Sequence, residues 1–205
     1  SPAPLLDAAL RKALLAAAVR FAARLNYRGA GTVEFLVDVE RNSFYFLEMN
    51  TRLQVEHPVT EAITGVDLIE QQLLVAGGAR LALTQEMVRP QGHAIEVRIN
   101  AEDADADFRP SPGTVTRAAW PAGPGIRVDS HMSNGGQVPP FYDSLIGKII
   151  ASGATREDAL ATLSAALDAT RIEGVATTTP LHRRIATDPR FMAGGVDTRF
   201  FEGLA

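Results

Sequence analysis

Two β-patterned segments, Thr32–Val39 and Ser43–Asn50, are separated only by Glu40, Arg41 and Asn42. Such runs across so short a link predict an antiparallel hairpin. The hairpin constrains the fold strongly, because its register decides which side chains share a face. With Val39 paired to Ser43, Glu34 stands opposite Glu48, Leu36 opposite Phe46, and Thr32 opposite Asn50. Opposed residues lie about 5 Å apart at Cβ, and the period of two puts this whole set on one face. Two facing carboxylates repel, and a cation between them removes that cost. Glu34 and Glu48, with Asn50 as a third oxygen donor, are therefore candidate ligands for Mg²⁺ or Mn²⁺, hard ions that take oxygen. The competing reading is a solvent-facing sheet that carries ordinary charges.

The residues after the hairpin add a second chemical element. Arg52, Gln54 and Glu56 alternate, so in extended backbone they point the same way. A guanidinium beside an amide suits a planar oxyanion such as bicarbonate. Glu56 next to it could act as a general base, whereas a solvated edge strand is the plainer alternative. His57 and Pro58 are read as shaping the exit turn. Farther on, His93–Asn100 alternates cleanly, with His93, Ile95, Val97 and Ile99 on one face and Glu96, Arg98 and Asn100 on the other. Arg98 could stabilise an enolate-type oxyanion, or simply pair with Glu96. His93, His131 and His182 are scattered and read as structural. Tyr142 is expected in the core, and Asp143 is expected to orient an arginine. The charged run as a whole points to phosphoryl or acyl-phosphate chemistry. No Walker-type loop or dinucleotide glycine fingerprint is present.

Composition narrows the function classes. The 205 residues suit one or two compact domains, and 46% hydrophobic with 21% charged residues is ordinary for a globular chain. A net charge of -4 gives nucleic-acid binding no global support. With no cysteine, thiolate nucleophiles, disulfides and cysteine zinc sites are excluded. No apolar stretch reaches the roughly 18 residues of a membrane span, and the Ser1-Pro-Ala-Pro4 start is not a signal peptide. The absence of Met there suggests a chain that begins mid-protein, and a cytoplasmic location is expected, with a mitochondrial one also compatible.

The pattern predicts an amphipathic helix over Pro4–Tyr27, with Pro4 in its first turn and Leu6, Leu10, Leu14, Ala17 and Phe21 on one stripe. Asp67 and Glu70 form a capping box for a helix that stops at Gly77-Gly78. Short β pieces are expected at Thr114–Arg117 and Ile126–Asp129, and a strand within Tyr142–Ser152. Thr155 and Asp158 cap a helix to about Thr170, and Pro180–Ala186 is a shorter one. The softest boundary is Arg89–Gly92, which gives units 1–90 and 91–205.

The stretch from Glu48 to Glu61, Glu-Met-Asn-Thr-Arg-Leu-Gln-Val-Glu-His-Pro-Val-Thr-Glu, resembles the signature of biotin carboxylase, an ATP-grasp enzyme. Ile63–Ile69, Gly92–Glu96, Arg98–Asp103, Pro110–Gly113 and Tyr142–Lys148 extend the resemblance along nearly the whole chain. It implies an α+β fold: the C-terminal part of an ATP-grasp domain, with an antiparallel sheet and helices, continued by the biotin carboxylase C-terminal sheet-and-helix domain. By resemblance, Glu34, Glu48 and Asn50 bind the metals that hold ATP, and Leu36 touches the adenine. Arg52, Gln54 and the Val55 backbone hold bicarbonate, and Glu56 deprotonates it. Arg98 contacts the ureido oxygen of biotin and stabilises its enolate. The implied cofactors are ATP, Mg²⁺ or Mn²⁺, and biotin on a carrier domain. The implied partners are that carrier domain, a carboxyltransferase and a second copy of the chain, with Arg127 in the dimer region.

Members of that family are about twice this length, so the chain reads as a C-terminal half expected to be inactive alone. The glycine-rich lid and the phosphate-holding lysines would precede Ser1. Two alternatives remain: another bicarbonate-using ATP-grasp ligase such as a carbamoyl-phosphate synthase half, and a non-catalytic dimerisation or assembly piece.

Overall fold

The computed structural model describes residues 1–4, 6–197 and 199–203. Leu5, inside the expected first helix, and residues 204–205 at the end of the expected second unit lie outside it. The chain divides into two units, Pro2–Pro90 and Gln91–Ala205, with Ser1 belonging to the latter. Among the described residues no helix is long and apolar enough to cross a membrane.

In the first unit, helix α1 covers Ala8–Arg24, shorter than the stretch from Pro4 to Tyr27. The Asp7 carboxylate accepts the Leu10 N–H at 2.8 Å, so the helix begins there rather than at Pro4. Positive φ at Asn26 turns the chain after α1. Strands β1 (Thr32–Asp38) and β2 (Ser43–Asn50) form the antiparallel hairpin.

The register of the hairpin corrects the sequence reading in part. Thr32 opposes Asn50 and Glu34 opposes Glu48, but a bulge after Glu34 then pairs Phe35 with Phe46 and Leu36 with Tyr45. Leu36 therefore does not face Phe46. The cause lies at both ends of the shifted segment. At the loop, Asp38 accepts the Arg41 N–H at 3.0 Å and Asn42 takes a left-handed φ of 49°. The connection thus needs four residues, Val39–Asn42, and Asp38 pairs with Ser43. At the bulge, the Phe46 ring packs 4.9 Å from Phe21 of α1, and Phe35 stacks edge-on against Phe44 at 5.3 Å. Strict alternation would put Phe46 and Glu48 on one face. The extra residue on β2 sends Phe46 toward α1 and leaves Glu48 with Glu34.

Helix α2 (His57–Thr64) follows, then α3 (Leu68–Ala76), whose N-cap Asp67 accepts the Glu70 N–H at 2.8 Å. The alternation of Arg52, Gln54 and Glu56 does not mark a strand: residues 51–56 are a loop ending in a turn, and Glu56 occupies the N-cap of α2. Pro58 explains this, since it fits a first helical turn and cannot donate to a ladder.

The second unit holds a three-stranded antiparallel sheet. Its strands are β3 (His93–Asn100), β4 (Ile126–Ser130) and β5 (Leu145–Gly153), with β5 in the centre. Helix α4 (Arg156–Ala169) covers one face, and Ile99, Ile149, Ala151, Leu163, Ala166 and Leu167 form the buried core between them. Thr155 and Asp158 exchange both capping-box hydrogen bonds, at 3.1 and 3.0 Å. A Cβ on Gly153 would stand 2.5 Å from Asp158 Cβ, so the first turn of α4 can follow β5 this closely only past a glycine. Helices α5 (Thr179–Thr187) and α6 (Pro189–Ala193) follow, then a short 3-10 turn at Phe200–Gly203.

Candidate active site

The β1–β2 hairpin brings Glu34, Glu48 and Asn50 together. Asn50 Nδ2 donates to Glu34 Oε1 at 2.9 Å and to Glu48 Oε1 at 3.0 Å. One amide thus sits between two carboxylates and screens their repulsion. Two carboxylates plus an amide form a hard oxygen-donor set once the amide presents Oδ1, a 180° rotation that exchanges its oxygen and nitrogen. Among the described residues no group of three His, Cys, Asp or Glu could hold a metal, and the third donor here is an amide. Leu36, two residues from Glu34 on β1, is 65% exposed and offers an apolar surface.

Beyond β2, Arg52 Nη1 donates to Gln54 Oε1 at 2.8 Å and to the Leu53 carbonyl at 3.2 Å. The guanidinium and the amide are neighbours through a turn rather than through extended alternation. Val55 is half-buried in that turn, and Glu56 is exposed. The Glu56 side chain does not cap α2.

Sequence reasoning passed over the brace behind this turn. His57 Nδ1 lies 2.7 Å from the Gln54 carbonyl, so Nδ1 carries the donated proton. His57 Nε2 lies 3.9 Å from Glu61 Oε2, while Glu61 Oε1 accepts the Leu68 N–H at 2.7 Å. Both side chains are buried. The brace links the turn bearing Gln54 and Glu56 to α2, and α2 to the start of α3. The i, i+4 spacing of His57 and Glu61 was the available signal.

Arg98 belongs to the second unit. It is exposed on β3, opposite Lys148 of β5, which in turn opposes Asp129 of β4. Asp129 receives Arg127 in a fork at 2.8 and 2.9 Å and lies 3.4 Å from Lys148 Nζ. Partial burial works to raise the Asp129 pKa, but Arg127 and Lys148 together outweigh it and hold it below the usual carboxylate value. Two expectations nearby fail. Tyr142 is 81% exposed rather than in the core. Asp143 accepts the Leu145 N–H at 2.8 Å, so the structure shows it shaping the entry to β5 rather than orienting an arginine.

His182 touches the same strand, with Nε2 2.8 Å from the Arg98 carbonyl. Burial lowers its pKa from 6.5, only partly opposed by that hydrogen bond. The unfolded histidine therefore takes up a proton at a pH where the folded one stays neutral. Its contribution to stability is complete above about pH 6.5 and is lost as pH falls below that value. The melting temperature of the full-length polypeptide should drop between about pH 7.5 and about pH 5.5, and His182→Gln should flatten part of that slope. An unchanged slope in the variant would exclude His182 as the source.

Comparison with known proteins places these residues in context. Residues 96–203 match the family described as Biotin carboxylase C-terminal domain. Residues 1–84 match the family described as Carbamoyl-phosphate synthase L chain, ATP binding domain. The chain is 52% identical over 204 residues to a biotin carboxylase of Nostoc sp., covering 100% of this chain and 45% of that protein. It is 48% identical over 202 residues to biotin carboxylase 1 of Bacillus subtilis, covering 98% and 45%. A solved biotin carboxylase domain dimer of Hydrogenobacter thermophilus 2-oxoglutarate carboxylase, in complex with MgADP, ADP and bicarbonate, is similar at a TM-score of 0.95 and 45% identity, covering 98% of this chain and 44% of that one. The chain spans less than half the length of the relatives it matches.

Proposed function

The chain belongs to the biotin carboxylase family, and we propose that it supplies part of the site at which a longer polypeptide carboxylates carrier-bound biotin with bicarbonate and ATP. The observation that carries this reading is the pair of clusters that β2 and its extension hold. One is the Glu34–Asn50–Glu48 bridge, and the other is the Arg52–Gln54 pair four residues on from Glu48, with Glu56 behind it. Glu34, Glu48 and Asn50 would hold the Mg²⁺ or Mn²⁺ of the nucleotide, with Leu36 against the adenine. The metal would neutralise charge on the phosphates.

Arg52 and Gln54, with the Val55 backbone, orient bicarbonate so that an oxygen can attack the terminal phosphorus. Glu56 accepts the bicarbonate proton, ADP leaves, and the carboxylate carbon becomes electrophilic. Arg98 would contact the ureido oxygen of biotin and supply positive charge for the anion that deprotonation of its nitrogen creates. The carrier domain and a carboxyltransferase are the partners in this reading. Pairing of two copies is supported by the dimer of the Hydrogenobacter thermophilus relative. A cytoplasmic location accompanies it.

The test is ADP release by the full-length polypeptide with bicarbonate and biotin each present or omitted. Carboxybiotin formed only when both are present is the expected result. ADP release that requires bicarbonate and ammonia but ignores biotin would instead favour the carbamoyl-phosphate alternative.

A further inference from the structure

β3 is an edge strand of its three-stranded sheet, and among the described residues no further strand pairs with its outer side, where Ser1 bonds to Ala94. At Arg98 and Asn100 that edge is closed by the start of α5. Thr178 N–H donates to the Asn100 carbonyl at 3.0 Å, and Asn100 N–H donates to Thr178 Oγ1 at 3.1 Å. Thr178 Oγ1 donates to the Arg98 carbonyl at 3.0 Å, and His182 Nε2 donates to the same oxygen at 2.8 Å. Both lone pairs of the Arg98 carbonyl are therefore engaged. Thr178 is only 5% exposed and stands at the N-cap of α5, where a threonine hydroxyl ordinarily accepts from its own helix. Here it makes no such cap. The hydroxyl is turned to β3 instead, at the expense of the helix cap.

We infer that Thr178 and His182 are positioning residues for Arg98, fixing the backbone from which its guanidinium projects. The inference rests on the assignment of Arg98 to biotin. Neither residue touches a reacting atom. They act by keeping the edge of β3 from shifting, where displacements of about 1 Å can cost about a hundredfold in rate. Without these bonds the Arg98 carbonyl and the Asn100 N–H and carbonyl would rely on water, and this edge of β3 would be held less firmly.

The experiment compares Thr178→Val, which keeps the shape and removes the hydroxyl, with Thr178→Ser, which restores it. In the full-length polypeptide, kcat and KM for free biotin are measured beside bicarbonate-dependent ADP release without biotin. Thr178→Val should lower biotin carboxylation about tenfold and leave biotin-free ADP release within about twofold. Thr178→Ser should restore the biotin step. His182→Phe, which removes one of the two bonds to the Arg98 carbonyl, should give a smaller loss of the same kind and serves if Thr178→Val does not fold. Equal losses in both activities, or no loss in either, would overturn the inference. Arg98→Lys is the reference. If it leaves biotin carboxylation intact, the assignment of Arg98 fails. If it abolishes the step while the Thr178 and His182 variants do not, only the positioning role fails.

Discussion

Glu56→Gln in the full-length polypeptide should lower bicarbonate- and biotin-dependent turnover by about 10²- to 10⁴-fold, the usual worth of a positioned general base. The amide has nearly the same shape and can still hydrogen-bond, but it cannot accept the bicarbonate proton. Glu56 is exposed and its side chain does not cap α2, so the helix start should survive. His57 continues to hold the Gln54 carbonyl, and Glu61 continues to hold Leu68 N–H. The melting temperature should therefore stay near that of the parent, as expected for a surface substitution within about 0.5 kcal/mol. Affinity for bicarbonate should change little, because Arg52 and Gln54 carry that contact. Near-normal turnover would remove Glu56 from the role of base. A large loss accompanied by a large drop in melting temperature would mean that Glu56 acts through the fold.

The residue types that suggested this chemistry were visible in the sequence because strand pairing is a local matter. Glu34 and Glu48 could be set opposite each other from the short link alone, and Asn50 followed from the period of two. What the pattern could not supply was the bulge. Beside the four-residue loop, its cause is the packing of Phe46 on Phe21, a contact between residues 21 and 46 that no hairpin rule contains. Leu36 accordingly acquired Tyr45 as its partner.

The loop after β2 was misread for a related reason. Alternation of Arg52, Gln54 and Glu56 is equally compatible with a turn, and Pro58 was the deciding residue. A proline there fits an exit turn as well as the first turn of a helix, and α2 takes the second course. The N-cap at Asp67, where only the Asp67 half of the expected capping box forms, the full box at Thr155 and the strand from His93 to Asn100 were legible because their determinants lie within a few residues. Tyr142 shows the opposite case: an aromatic residue carries no local mark of whether anything covers it. The hydrogen bonds from Thr178 and His182 to Arg98 span about 80 positions and had no sequence signal at all.

Glu48→Gln should separate stability from binding, with effects of opposite sign. In the metal-free protein, Glu34 and Glu48 are like charges on opposed strands, bridged by the shared Asn50 amide. Like charges so placed destabilise a sheet by several tenths of a kcal/mol, of the order of about 0.2–1 kcal/mol. Removing one should leave the melting temperature unchanged or raise it, since the Gln oxygen can still accept from Asn50 Nδ2. Binding of Mg²⁺-nucleotide should move the other way. A unit charge pair about 4 Å apart is worth about 4 kcal/mol at an effective dielectric of about 20. Partial compensation by water leaves an expected loss of about hundredfold in affinity, about 2.7 kcal/mol.

Asn50→Asp supplies the reverse comparison. A third carboxylate replaces the only bridging donor, so the metal-free protein should melt lower and recover on addition of Mg²⁺. Calorimetric melting with and without Mg²⁺, together with titration of Mg²⁺-nucleotide into each full-length variant, reads both quantities. If Glu48→Gln binds the nucleotide as tightly as the parent, the hairpin is not a metal site. Its paired carboxylates would then be a charged sheet face that the Asn50 amide alone makes tolerable.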